Sequence, residues 1–392
     1  MFKRDLFEKL KYFATKLPVV ALLGPRQSGK TTLAKIAFPR HKYISFEDID
    51  QRLFAASDPR RFLRENKNEN GLILDEIQHA PDLLSYIQTY VDAEKQNGYF
   101  VLTGSQNFLV MEAVSQSLAG RVAILTLLPL SINELKENNL LTGSSSRSIY
   151  YGGYPRILEQ NLLPSEWYPL YILNYIERDV RQIANVVDIS AFQRFIKLCA
   201  GRIGQILNVS SLASDCGISP NTAKSWLSIL EASYIIFLLQ PHFKNFSKRL
   251  IKSPKLYFYD TGIACNLLEL KSEEAVATHY LRGGLFESMI ISDLMKGYYN
   301  CGERPSLYFW RDSHGREVDC IIDIGTKLLP IEIKSGETID LSYFKGLDYW
   351  NDLAQADPED GYVIYGGKEN QGRTKGNIVS WVNTQKIIDK VN

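Results

Sequence analysis

Paired cysteines are missing from this sequence. Its five, Cys199, Cys216, Cys265, Cys301 and Cys320, are odd in number, and no two are spaced as a CxxC pair or a metal knuckle. That argues against a disulfide framework and for reduced, mostly buried thiols in a cytoplasmic setting. An excess of one charge is missing too. With 45 Lys and Arg against 44 Asp and Glu, the net charge is +1, so any pull on nucleic acid or an acidic surface must come from a local patch. No apolar run approaches membrane-spanning length. The run Leu17–Leu23 behind Lys3 and Arg4 imitates a signal peptide, but it is short and reads better as a strand. Internal repeats and low-complexity tracts are also absent. What remains is a soluble chain with no membrane partner. Its 392 residues, 45% apolar, are too many for one ordinary core and suit two or three domains.

What is present begins with a leader helix over residues 2–16, with Phe2, Leu6, Leu10 and Phe13 at helical spacing. Short apolar strands then alternate with helical stretches. The strands are Val19–Leu23, Tyr43–Phe46, Gly71–Asp75, Tyr99–Thr103 and Val122–Leu127; the helices include Pro81–Gln96 and Phe108–Leu118. This pattern predicts an α/β unit built on a parallel sheet covered on both faces. Ligands of such sheets collect beyond the carboxyl ends of the strands.

The first strand runs directly into Gly24-Pro25-Arg26-Gln27-Ser28-Gly29-Lys30-Thr31-Thr32, the spacing of a phosphate-binding loop that opens a helix. Its glycines let successive N–H groups turn inward on a phosphate, and the helix N-terminus adds positive potential. Lys30 is positioned to neutralise the β- and γ-phosphates, and Thr31 to ligate Mg²⁺. Asp75 and Glu76 end the third strand. The aspartate suits the Mg²⁺ shell and the glutamate suits polarising water; the plainer alternative is a helix N-cap at Asp75. After the fourth strand, Thr103, Ser105 or Gln106 could sense the γ-phosphate, with Ser105 favoured.

The stretch 17–130 resembles the AAA-type ATPases in Gly24…Gly29-Lys30-Thr31, Leu72-Ile73-Leu74-Asp75-Glu76 and Thr103-Gly104-Ser105-Gln106. The wording of the loop and of Ser117-Leu118-Ala119-Gly120-Arg121 is similar to a prokaryotic branch with a C-terminal domain of unknown function, and this likeness covers nearly the whole chain. The resemblance implies a P-loop NTPase fold, ATP and Mg²⁺, an oligomer in some cases, and an arginine completing the site. Arg121 is the first candidate for that arginine, with Arg156 and Arg178 behind it. An ordinary surface arginine paired with a carboxylate is the competing reading for each.

Beyond the Gly143–Ser146 break lies an aromatic-rich helical stretch, Tyr150–Val187. The expected units are 1–142, an ATPase; 147–190, a helical connector; 191–262, a winged helix; and 280–392, a restriction-endonuclease-like α/β domain. The winged helix rests on a short helix, a Gly217 turn and a second helix opened by Ser219-Pro220. Ile235–Leu239 and Leu256–Tyr259 would form its hairpin. Asn221, Thr222, Lys224 and Ser225 would face a major groove, with Lys244, Lys248, Arg249 and Lys252 on a basic tip. Use as a rigid protein-contact module is the alternative to DNA binding.

In the last unit, a hairpin centred between Gly325 and Thr326 puts Asp319 opposite Glu332, with Lys334 on the same face. Opposed carboxylates repel, so the arrangement requires cations. The layout Asp…Glu-x-Lys resembles restriction-endonuclease-like nucleases, which implies a metal centre of Asp319 and Glu332, Lys334 activating water, and Glu287 as a further acid. The same register allows a plain Glu317–Lys334 ion pair instead. Two functions follow: ATP-driven DNA handling with a metal-dependent nuclease, or a nucleotide-dependent switch whose C-terminal half binds protein or DNA without cutting.

Overall fold

A computed structural model describes residues 2–105, 117–141, 143–177, 188–242 and 252–391. Gln106, most of the expected helix Phe108–Leu118, Arg178, Lys244, Lys248 and Arg249 lie outside the described residues.

The first sheet holds β1 (Val19–Gly24), β2 (Lys42–Ser45), β3 (Leu72–Asp75), β4 (Phe100–Ser105) and β5 (Val122–Thr126) in the order β2-β3-β4-β1-β5. Every pairing is parallel. Side chains alternate across the sheet, which explains the two cores. Val19 and Ala21 join Phe46, Phe62, Leu74, Ile87 and Leu102 on one face. Val20 and Leu22 join Leu6, Leu10, Leu33, Ile73 and Val101 on the other. The leader helix Leu6–Ala14 is thus one wall of the sheet's second face. Both faces are covered, as the continuous apolar strands require.

The middle of the chain contributes the helices Ile189–Ala200, Val209–Cys216 and Pro220–Ala232, then an antiparallel pair, β6 (Ile236–Leu239) with β7 (Lys255–Phe258). Gly217, at φ +73°, ends the second helix, and Ser219 caps the third.

The last sheet is mixed: β8 (Leu307–Arg311), β9 (Glu317–Asp323), β10 (Leu328–Lys334), β11 (Tyr362–Tyr365), β12 (Gln371–Arg373) and β13 (Gly376–Ser380), in the order β12-β13-β11-β10-β9-β8. β8, β9 and β10 are antiparallel neighbours, while β10, β11 and β13 run parallel. The middle and last parts share one apolar core, from Tyr154 and Phe195 to Phe286 and Ile331. At its centre the 19-residue helix Arg282–Asn300 packs against β5, β7 and β10. Beside β8 the chain leaving β6 continues the sheet: His242 N–H donates to Phe309 O at 2.7 Å and Phe309 N–H to Gln240 O at 3.1 Å. Among the described residues no helix is long and apolar enough to cross a membrane.

Candidate functional site

The phosphate-loop residues lie where β1 ends. Three of them occupy the left-handed region: Gly24 at φ +152°, Gln27 at +60° and Gly29 at +96°. A methyl group at Gly24 would lie 2.1 Å from Leu127 O, so the close crossing of loop and β5 needs glycine there. Lys30 is buried, and its ammonium donates to Gly24 O at 3.0 Å and Pro25 O at 2.8 Å. The Ser28 hydroxyl and the Gln27 amide oxygen are buried without a protein partner among the described residues. Such atoms are costly to bury unmatched, and here they mark a loop shaped for a polar ligand.

Strand register brings the acids to this loop. Thr31 Oγ1 donates to Asp75 Oδ1 at 2.8 Å, Tyr43 OH donates to Asp75 Oδ2 at 2.8 Å, and Thr103 Oγ1 donates to Asp75 Oδ1. Burial, then the hydrogen bond to Asp75, pushes the Tyr43 phenol up to about 12. A hydroxyl and a carboxylate side by side next to a phosphate loop fit Mg²⁺, which takes few protein oxygens and completes its shell with phosphate and water. Glu76 sits at φ +57° and accepts from the Gln78 amide, which also donates to Ser105 Oγ at 3.0 Å. Ser105 pairs in register with Gly24, so it borders the loop, while Thr103 faces the aspartate. Thr32 lies exposed on the helix Lys30–Ala37.

Arg121 is elsewhere. Its carbonyl accepts from Val19 N–H at the amino end of β1, and its guanidinium holds Asp92 at 2.6 and 2.9 Å. The six residues of β1 separate it from the loop by roughly 16 Å, so within one chain it cannot reach the phosphates; the paired surface arginine is what the structure shows. Arg156 is exposed on the helix Pro155–Glu159.

Two contacts on the loop carry no sequence signal. Arg4, 7% exposed, donates from Nη1 to Ser28 O at 2.8 Å, from Nε to Glu134 Oε1 at 2.8 Å and from Nη2 to Leu128 O at 2.6 Å. On the outer side Gln27 Nε2 donates to Tyr175 OH at 2.6 Å, and the Arg26 guanidinium lies 5.6 Å from the Tyr175 ring. Tyr175 ends a line of rings through Tyr171 and Trp167.

The second centre is in the last sheet. The pairs Leu328↔Asp323 to Ile331↔Cys320 follow the expected hairpin register, and Lys334 Nζ holds Asp319 at 3.0 Å and Glu332 at 2.5 Å. Ile333 N–H adds a bond to Asp319 at 2.8 Å. Glu317 does not meet Lys334: it pairs with Arg311 at 2.9 Å and with Lys255, correcting that alternative. Lys255, from β7, also holds Glu287 at 2.9 Å, which accepts from Tyr257 OH as well. Glu287, Glu317 and Asp319 place carboxylate oxygens within 4.8 Å of one another. Burial, only partly opposed by Lys255, pushes Glu287 up to about 7. Burial and the charge of Asp319 push Glu332 up to about 8. Burial acts upward on Asp319 too, but Lys334 and Lys255 outweigh it and hold that carboxyl below its usual range.

A divalent ion fits this arrangement poorly. Two ammonium groups already lie among the four acids, and Glu332 Oε1, without a partner among the described residues, is buried where it packs on Gly346. The expected DNA-facing residues Asn221 and Lys224 are exposed and Thr222 half-buried at the start of Pro220–Ala232, where Thr222 N–H donates to Ser219 Oγ at 3.1 Å.

Residues 16–136 match the family described as AAA domain. Residues 143–274 match a domain of unknown function (DUF8612), and 282–384 match another domain of unknown function (DUF4143). The chain is similar to Uncharacterized protein Rv2008c of Mycobacterium tuberculosis and Uncharacterized protein Mb2031c of Mycobacterium bovis. It is 28% identical to each over 346 residues, spanning 87% of this chain and 75% of theirs. Among solved structures it is similar to the Walker-type ATPase PABY2304 of Pyrococcus abyssi, at 15% identity and TM-score 0.46, covering 68% of this chain and 96% of that one. It is also similar to the RuvB Holliday junction branch migration motor of Thermotoga maritima, at 19% identity and TM-score 0.31, covering 60% and 89%.

Proposed function

We propose that this chain, whose residues 16–136 match the AAA domain family, works as a P-loop ATPase that couples ATP binding and hydrolysis to DNA held by its C-terminal half. In this proposal the backbone of residues 24–32 cradles the triphosphate and Lys30 neutralises its β- and γ-oxygens. Thr31 and Asp75 hold Mg²⁺, which supplies charge neutralisation at the phosphates. Glu76 orients water, with Ser105 and Gln78 fixing its carboxylate. We assign the units to 1–142, 147–190, 191–262 and 280–392, with the helix Pro220–Ala232 as the DNA-reading element of a winged helix. An arginine from a neighbouring copy would complete the site.

The observation that carries the coupling is Arg4. Its guanidinium joins the loop carbonyl of Ser28 to Glu134, whose other oxygen accepts from Ser131 N–H at 2.8 Å. The adjacent Ile132 N–H donates at 2.6 Å to Asp293, on the helix at the centre of the C-terminal core, and Asp293 accepts from Thr384. A shift of the loop on nucleotide binding thus has a buried polar route to the C-terminal half. Such a route couples sites only if both bias it.

ATP turnover with and without duplex DNA tests this. Wild type is expected to speed up several-fold with DNA, Lys30→Ala to lose turnover altogether, and Arg4→Met to keep turnover but lose the response. A turnover rate indifferent to every DNA form would sink the DNA half of the proposal and leave a nucleotide switch acting on a protein partner.

A further inference from the structure

Metal centres built on a carboxylate cluster need their negative charge free for the ion. Here the charge is already spoken for. Glu287 accepts from Lys255 and Tyr257, Glu317 from Lys255 and Arg311, Asp319 from Lys334 and the Ile333 amide, and Glu332 from Lys334. Four carboxylates thus meet three cations. Of these, Lys255 is the deepest, with a side chain only 3% exposed, and it arrives from a different part of the fold. It lies on β7 of the middle unit, whereas Glu317, Asp319 and Glu332 belong to the last sheet and Glu287 to the central helix. Glu332 Oε1, buried without a partner among the described residues, faces the chain at Gly346, where a methyl group would lie 2.0 Å from it.

We propose that Lys255 is the resident cation of this cluster. Its ammonium clamps β7 to the central helix and the last sheet, and a divalent ion binds among the acids only once that ammonium is removed. The physical reason is exclusion. An ammonium 2.9 Å from Glu287 and bonded to Glu317 occupies the space between their oxygens. Expelling it would strand a buried positive charge without its partners. Removing it by mutation leaves three carboxylates with oxygens within 4.8 Å of one another, an arrangement that hard, oxygen-seeking ions satisfy. This inference is independent of ATP use and of DNA binding.

The test is Mn²⁺ binding to the nucleotide-free full chain, followed by electron paramagnetic resonance, with thermal unfolding measured alongside. Wild type is expected to hold no Mn²⁺ that Glu317→Gln abolishes, and its unfolding temperature should not respond to the ion at this site. Lys255→Met is expected to bind one Mn²⁺ at least tenfold more tightly than wild type, and to lose it again when Glu317→Gln is added. Should Lys255→Met fold only when Mn²⁺ is supplied, the same exchange of cations is demonstrated by stability. Wild-type binding removed by Glu317→Gln overturns the proposal. So does a folded Lys255→Met protein that ignores Mn²⁺.

Discussion

Asp5 and Glu134 are like charges held next to one another, with Arg4 paired to Glu134 alone of the two. Asp5 N–H donates to Glu134 Oε1 at 3.0 Å, while its own carboxylate finds Asn133 Nδ2 at 3.0 Å and, among the described residues, no cation at hydrogen-bond distance. Burial first, then repulsion from Glu134, pushes the Asp5 carboxyl up to about 6. A carboxyl raised in the folded state contributes its stability below the unfolded value, near pH 4, and loses it as pH rises through 6. Asp5→Asn is therefore expected to stabilise the protein by about 1 kcal/mol at pH 7.5, after allowance for solvent screening, and by nothing at pH 4. Denaturant titrations at the two pH values check this. An equal gain at both would show that the effect is packing and not charge. At this scale the sequence is readable where chemistry is local. Lys30, Thr31, Asp75 and Glu76 are set by one loop and one strand end. Tyr43 and Thr103 meet Asp75, Arg4 meets Ser28 and Tyr175 meets Gln27 across gaps of 24 to 148 positions, and no local spacing encodes such meetings.

The hairpin β9–β10 shows what elements disclose. Its turn at Gly325 and its alternating apolar residues set the register, because a one-residue slip would turn every side chain to the other face. Lys334 could therefore be placed beside Asp319 and Glu332. The identity of the partner for Glu317 could not, since Lys255 comes from a strand 62 positions away whose neighbour in the sequence is a different hairpin. The helix Lys345–Ala354 is a sharper case. It approaches β10 closely because Gly346 has no side chain: a methyl there would meet Glu332 Oε1 at 2.0 Å and Glu317 O at 3.2 Å. Alanine is worth about 1 kcal/mol over glycine in a free helix, whereas overpacking a closed interior costs about 1–3 kcal/mol. With Glu332 buried and tied to Lys334, overpacking wins. Gly346→Ala is expected to lower stability and leave nucleotide binding at the phosphate loop unchanged, as a melt and a nucleotide titration would reveal; a stabilised variant would mean that the helix stands off from the strand.

For the whole molecule, the alternation of strands and helices announced the parallel sheet, and the hairpin carrying Asp319 and Glu332-x-Lys334 announced a second sheet. What no pattern announced is how the two are joined. The helix Arg282–Asn300 is buried nearly all round because strands and helices from every part of the fold pack on it at once, and Asp293 on it accepts from both Ile132 and Thr384. Asp293→Ala would strand the Ile132 amide and the Thr384 hydroxyl, at about 1–3 kcal/mol for each group left unpaired. If this carboxylate joins the halves energetically, wild type should unfold in one transition that ATP and Mg²⁺ raise as a unit, since a ligand stabilises whatever unfolds with its site. In Asp293→Ala the transition is expected to split. Nucleotide should then raise only the component containing the phosphate loop, leaving the C-terminal component where it was. Calorimetry with and without ATP distinguishes the cases: two components that still move together would place the coupling in the shared apolar packing and not in the polar route through Arg4.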